Sequence, residues 1–128
     1  MRGDLLKAVA ERPDDADRHL ALAFAEAGLG NKQEAIAQGR KAVEIMPVSR
    51  DAFAGPGYLT WQAKLYAQLG ETDKAFEVIE RLLGMPSGHS ISGALLRIDP
   101  FWDPLRGDPR LEQLAARADS LIRDGSHG

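Results

Sequence analysis

The strongest constraint on the fold is an internal repeat. The stretches EAIAQGRKAVEIMP and DKAFEVIERLLGMP both carry an alanine followed by an apolar stripe at helical spacing, and Ala35 and Ala75 lie 40 residues apart. Pro13 and Pro47 lie 34 residues apart and follow similar segments. A period in this range is typical of stacked helical repeats, since one such unit cannot bury its apolar face alone. The sequence therefore predicts an all-α solenoid of antiparallel helix pairs.

The two intervals differ because the second repeat is preceded by extra residues. Turn-forming residues are concentrated in VSRDAFAGPGY, which favours a long ordered loop there. We expect helices over about 2–11, 16–28, 32–46, 57–69, 73–84, 91–97 and 109–123. The predicted units are a partial leading repeat (1–13), a first full repeat (14–47), a long loop (48–57), a second repeat (58–86), a C-terminal cap (87–123) and a tail (124–128).

Composition narrows the class of protein without naming a function. The 128 residues suit one domain, and 44% apolar with 27% charged residues is ordinary for a folded protein. The net charge of −3 argues against nucleic acid or an anionic membrane as the main partner. The chain has no cysteine, which excludes disulfides and thiol catalysis. No signal-peptide core or long apolar run is present, so we expect a cytoplasmic protein.

The period of 34 with two helices per unit resembles the tetratricopeptide repeat. That family places small residues where paired helices cross, glycine in the turn between them and proline after the second helix. The matching residues of the first repeat are Ala23, Gly30, Ala35, Ala42 and Pro47, and those of the second are Ala63, Tyr66, Gly70 and Ala75. Leu82 stands in place of the usual alanine, Pro86 comes one residue early, and Glu26 occupies a usually apolar position.

The C-terminal stretch LLRIDPFWDPLRGDPRLEQL contains three Asp-Pro pairs. Each proline restricts its own backbone and that of the preceding aspartate, so we expect a rigid, turning segment whose carboxylates bind nearby amides. This segment should cap the last repeat, with Trp102 as a core anchor. We expect its apolar side chains to be Leu95, Leu96, Ile98, Phe101, Trp102 and Leu105. The stretch also resembles the C-terminal end of large bacterial multidomain signalling proteins.

Some motifs resemble catalytic or metal-binding sites but lack residues or spacings that such sites require. Gly88 to Ser92 comes near the GxSxG nucleophile motif, but the last position is serine and no strand precedes it. The three aspartates of the Asp-Pro pairs lack the spacing of a calcium loop, and the three histidines share no metal spacing. We therefore expect no enzyme activity, no catalytic or metal residues and no cofactor.

The resemblance implies a protein-interaction module that binds a peptide or a helix in its concave groove. Trp61 either faces this groove or belongs to the core, and the sequence leaves both open. Only Lys64 is basic there, so no carboxylate clamp of the kind found in some family members is expected. The predicted groove residues are Leu20, Phe24, Ala27, Thr60, Trp61, Lys64 and Gln68. The alternative function is a structural or dimerisation element within a larger bacterial signalling protein.

The N-terminal helix resembles the second helix of a repeat whose first helix is missing. Leu5, Leu6, Ala8 and Val9 form an apolar stripe with one side lacking its usual neighbour. Three outcomes are open for this helix: it pairs two copies in a symmetric homodimer, it frays, or it stays exposed on a monomer.

Overall fold

The structure is a computed structural model that describes residues 2–47, 55–85 and 92–125. These residues form seven α-helices and one 3₁₀ helix, and no strand occurs among them. In chain order the elements are α1 (Arg2–Glu11), α2 (Ala16–Gly28), α3 (Lys32–Ile45), α4 (Gly55–Gln68), α5 (Thr72–Leu83), α6 (Gly93–Ile98), the 3₁₀ helix (Pro100–Leu105) and α7 (Pro109–Gly125). The predicted all-α helical-repeat fold is confirmed.

Adjacent helices pack as pairs, and two of the pairs turn in the same way. Helix α2 packs on α3, α4 on α5, and α6 on α7. Gly30 and Gly70, the glycines between the paired helices, have φ angles of 81° and 76°. This left-handed conformation is costly for residues with a Cβ atom, which explains glycine at both corners. The backbone supports the tetratricopeptide resemblance at these two turns.

The small residues of the repeat lie where the helices meet. Every one of them is fully buried, which lets the helix backbones approach closely: Ala23, Ala35, Ala42, Ala63 and Ala75. Leu82, in place of alanine, is also fully buried. Most of the apolar core is one cluster that runs from Ile36 on α3 to Ala118 on α7. A smaller cluster of Ala23, Ala35 and Leu65 joins the first pair to α4.

The C-terminal segment is ordered by its own polar side chains. Ser92 accepts a hydrogen bond from the Leu95 amide (3.1 Å) at the start of α6, and Asp99 accepts one from the Phe101 amide (3.0 Å) at the start of the 3₁₀ helix. The Arg106 guanidinium donates to the carbonyls of Arg97 and Asp99. Because the Arg97 carbonyl lies in the last turn of α6 and Asp99 caps the start of the 3₁₀ helix, Arg106 ties the two helices together.

Several expectations need correction. Helix α4 begins at Gly55 rather than near 57, because a proline such as Pro56 fits the first turn of a helix. Leu95 and Ile98 were expected in the cap, but they are 43% and 72% exposed because the short helix α6 buries only its other face. The N-terminal part of the loop (48–54), residues 86–91, residues 126–128 and the side chains of Leu121 and Ile122 lie outside the described part.

Trp102 is 1% exposed, as expected of a core anchor. Among the described residues no helix is long and apolar enough to cross a membrane.

Candidate functional site

Three aromatic rings from different parts of the chain meet on one face of the solenoid. Phe24 of α2 lies 5.7 Å from Trp61 of α4, and Phe101 of the 3₁₀ helix lies 5.4 Å from Trp61 and 6.1 Å from Phe24, between ring centroids. All three pairs meet edge to face, the arrangement that the charge distribution of aromatic rings favours. We call this group, Phe24, Trp61 and Phe101, the aromatic cluster.

The cluster forms because the first helices of successive pairs lie side by side. Helix α4 contacts both α2 and the 3₁₀ helix. Tyr58, one turn before Trp61, donates a hydrogen bond of 2.8 Å to Asp17 on α2, which fixes the same pair of helices. Trp61 is 40% exposed, whereas Phe24 and Phe101 are half-buried. The cluster is therefore a packed group of three rings in which one large aromatic side chain is open to solvent.

Lys64 contacts the aromatic cluster, and its positive charge is compensated there by neighbouring groups. Its Nζ atom is 4.6 Å from the centroid of the Trp61 ring and 5.0 Å from that of Phe101, distances at which a cation is attracted to a ring face. The same atom is 3.2 Å from a carboxylate oxygen of Asp99, and both side chains are less than one-fifth exposed. Lys64 thus has no free charge to offer a terminal carboxylate.

The surroundings of Asp99 act on its pKa in opposite directions. Partial burial raises the pKa, while the Phe101 amide, Lys64 and Arg106 lower it, and the net result is a pKa below the usual value. The carboxylate therefore stays charged near neutral pH, where it holds Lys64 in place.

The structure brings together most, but not all, of the predicted groove residues. Phe24, Trp61, Lys64 and Gln68 surround Phe101, with the Gln68 side-chain amide donating to the Phe101 carbonyl (3.2 Å). Leu20 is half-buried one turn before Phe24 on the same face of α2. Ala27 packs against the smaller core cluster.

Thr60 does not belong to the groove surface. It is 6% exposed, and its hydroxyl donates to the Pro56 carbonyl at 2.8 Å. The hydroxyl bonds the preceding turn of its own helix, a common use of threonine within helices.

Sequence reasoning missed Phe101 as a member of the site. It was expected in the cap, and its ring joins the aromatic cluster while its neighbour Trp102 is buried in the core. Successive residues of a 3₁₀ helix point about 120° apart, so two adjacent aromatic residues cannot share one face. The adjacency of Phe101 and Trp102 was therefore the sequence signal that only one of the two rings could enter the core.

A depression lies between α5 and α7, away from the aromatic cluster, with Phe76 and Leu114 among the residues that line it. Arg110, which lines it, is already engaged, since it lies 2.9 Å from Asp73 and its guanidinium lies 4.5 Å from the centroid of the Phe76 ring. Among the described residues no group of three or more histidine or acidic side chains is arranged to hold a metal ion.

Comparison with known proteins gives a partial match. The chain is 35% identical over 69 residues to "Protein SGT1 homolog" of Bos taurus, covering 54% of this chain and 20% of that protein. It is 33% identical over 69 residues to "Protein SGT1 homolog" of Homo sapiens, covering 54% and 19%. The chain thus spans about a fifth of the length of these relatives. No protein-family model and no solved structure matches it.

Proposed function

We propose that this chain is a non-enzymatic protein-interaction module that binds a peptide or an amphipathic helix across the aromatic cluster. The observation that carries the proposal is the exposure of Trp61 in a rigid setting: 40% of the side chain is open to solvent while two other rings hold it in place. Tryptophan is enriched among residues that dominate binding energy, and a fixed ring loses little conformational entropy on binding.

The available surface is mainly apolar and uncharged. Leu20 and Phe24 extend it along α2, and the one lysine of the groove is already paired with Asp99. An apolar face of a helix, or an extended peptide with a bulky apolar side chain, suits such a surface better than a charged C-terminus. With a net charge of −3, a protein is also a better candidate partner than nucleic acid or membrane.

A displayed random-peptide library tests the proposal. Peptides selected on the wild-type chain should lose at least about thirtyfold in affinity on Trp61→Ala, which corresponds to about 2 kcal/mol for a dominant interface residue. Leu29→Ala is the matched control, because Leu29 is 59% exposed at the α2–α3 turn, outside the aromatic cluster. The affinity of the selected peptides for the Leu29→Ala chain should equal that for the wild type.

Two outcomes contradict the proposal. One is a Trp61→Ala chain that binds the selected peptides as well as the wild type. The other is a Trp61→Ala chain that no longer folds, which would assign Trp61 to the core.

The second candidate function is structural, as a pairing element within a larger bacterial signalling protein of the cytoplasm. It is favoured by Leu6, which is 42% exposed on α1 beside the half-buried Leu5. Light scattering should then show a homodimer that becomes a monomer in Leu6→Glu, because a buried carboxylate would oppose a self-complementary contact. A wild-type monomer at high concentration would reject this role.

A further inference from the structure

The chain's own residues Asp99, Pro100 and Phe101 contact the groove as a bound peptide would. The Asp99 carboxylate lies 3.2 Å from Lys64, the Phe101 ring packs edge to face with Trp61 of the groove, and Gln68 donates a hydrogen bond to the Phe101 carbonyl. Three consecutive residues thus receive from the groove an ion-pair partner, an apolar contact and a hydrogen bond to the backbone.

Asp99 has an extended backbone, and Pro100 and Phe101 begin the 3₁₀ helix, so the three residues form a turn. Asp99 has φ −66° and ψ 123°, the region preferred by a residue before proline, and its carboxylate also accepts from the Phe101 amide. A short peptide of the same sequence can form this turn before it binds, since the aspartate side chain and the proline both favour it, and it then loses less entropy on binding.

The segment is also held from the side away from the groove. Trp102, the next residue, is 1% exposed in the main core, and Arg106 donates to the Asp99 carbonyl at 2.9 Å. The backbone of the segment is therefore anchored independently of the groove, and the side chains of Asp99 and Phe101 can be replaced without removing those anchors.

We infer that Lys64 and the Phe24–Trp61 pair form a peptide subsite that selects an acidic residue followed two positions later by an aromatic residue, and that the side chains of Asp99 and Phe101 fill this subsite in the same chain. The inference rests on the proposed function of the groove and goes beyond it by naming the ligand chemistry. The proposed external peptide uses the part left open, which is Leu20 and the exposed edge of Trp61.

An occupant in the same chain competes strongly with an external ligand. Groups joined by a short connection meet at effective concentrations of about millimolar or higher. A free peptide of the same chemistry with a dissociation constant near 100 µM would then bind the wild type about tenfold more weakly than an emptied subsite. The occupied wild-type subsite therefore disfavours such peptides, and emptying it changes specificity.

The experiment uses the full chain with Asp99→Asn and Phe101→Ala, and a synthetic peptide with the sequence of residues 98–101 and blocked ends. Asparagine keeps the acceptor at the start of the 3₁₀ helix but removes the charge that neutralises Lys64. Calorimetric titration should show binding at least about tenfold tighter to this variant than to the wild type. A peptide with asparagine and alanine in place of aspartate and phenylalanine is the control and should not bind.

A third substitution, Lys64→Met, added to the emptied chain should remove the preference for the acidic peptide. Phe101→Ala alone serves if the double variant does not fold. It opens only the aromatic part, so the peptide and its aspartate-to-asparagine version should bind it equally.

Equal binding of the peptide to wild type and emptied chain, or no binding to the emptied chain and to Phe101→Ala, would overturn the inference. Neither result would alter the Trp61→Ala comparison with library peptides, so failure of this inference and failure of the proposed function are distinguishable.

Discussion

The helix pairs α2–α3 and α4–α5 turn the chain through matching corners but are packed with different side chains. In the first corner the Asn31 amide donates to the Glu26 carbonyl at 2.9 Å, and in the second the Glu71 amide donates to the Tyr66 carbonyl at 2.9 Å. Gly30 and Gly70 take the same left-handed conformation. The 40-residue offset in sequence is therefore an offset between equivalent backbone positions.

The side chains at equivalent positions differ in size and polarity. Glu26, 1% exposed, accepts a hydrogen bond from the Asn31 side chain (3.2 Å), whereas the equivalent Tyr66 belongs to the main core. Ala42 is matched by the larger Leu82. The first pair thus has a small interior, and the second pair builds most of the core together with the C-terminal segment. The comparison teaches that one repeat backbone supports two kinds of packing.

Trp102→Ala should lower the free energy of unfolding more than any other change, because the Trp102 side chain packs the C-terminal segment against the second helix pair. The residue is 1% exposed in the main core, and truncating such a side chain costs about 3–5 kcal/mol. Urea unfolding followed by circular dichroism measures this loss. An unchanged transition midpoint would mean that the segment does not cap the repeat.

Leu82→Ala sharpens the contrast between the two pairs. It should cost about 2–5 kcal/mol, since Leu82 is fully buried among large side chains and leaves a cavity. The equivalent change in the first pair, Ala42→Gly, should cost only about 1 kcal/mol, mainly through helix propensity. Equal losses for the two variants, measured by thermal unfolding, would contradict the difference in packing.

Gly39→Ala tests the contact between the first pair and α4. A Cβ atom at this position would lie 2.6 Å from the Leu65 Cδ2 atom, so α4 or the leucine must shift. Overpacking costs about 1–3 kcal/mol and exceeds the helix-propensity gain of about 1 kcal/mol, so we expect a net loss of about 1 kcal/mol. Gly28→Ala is the control: nothing lies within 4 Å, so it should stabilise the chain slightly. A Gly39→Ala chain as stable as the control would contradict the close contact between the first helix pair and α4.

Lowering the pH should have the smallest effect on the free energy of unfolding. The pKa of Asp99 is lowered in the folded chain, so its contribution to stability is complete above the usual value of 3.8 and is lost as the pH falls below it. The stability difference between wild type and Asp99→Asn should therefore shrink between about pH 7 and about pH 3. Urea titrations at the two pH values measure the difference. A constant difference would mean that the Asp99–Lys64 pair contributes nothing.

Much of the fold could be predicted from local sequence signals. The repeat period, the small residues at helix crossings and the glycine corners each act within one or two helices, and the structure has them where expected. Trp102 was predicted in the core because a large aromatic residue in an irregular segment usually anchors it. These features depend on short-range geometry, which a single sequence carries.

The site was predicted only in part because it depends on contacts across the fold. Nothing in the sequence near Lys64 indicates Asp99 as its partner, since 35 residues separate them and the path of the chain between them decides the contact. Thr60 was assigned to the groove from the family resemblance, but its side chain bonds its own helix. Arg106 carries no local signal for its role in tying α6 to the 3₁₀ helix.

The most direct test of the account is a nuclear magnetic resonance titration of the wild-type chain with a library-selected peptide. The account predicts shift changes at the Trp61 indole and at the amides of Leu20 and Phe24, because these residues form the open part of the groove. Changes centred instead on Phe76 and Leu114, with the Trp61 indole unmoved, would place the binding surface between α5 and α7 and contradict it.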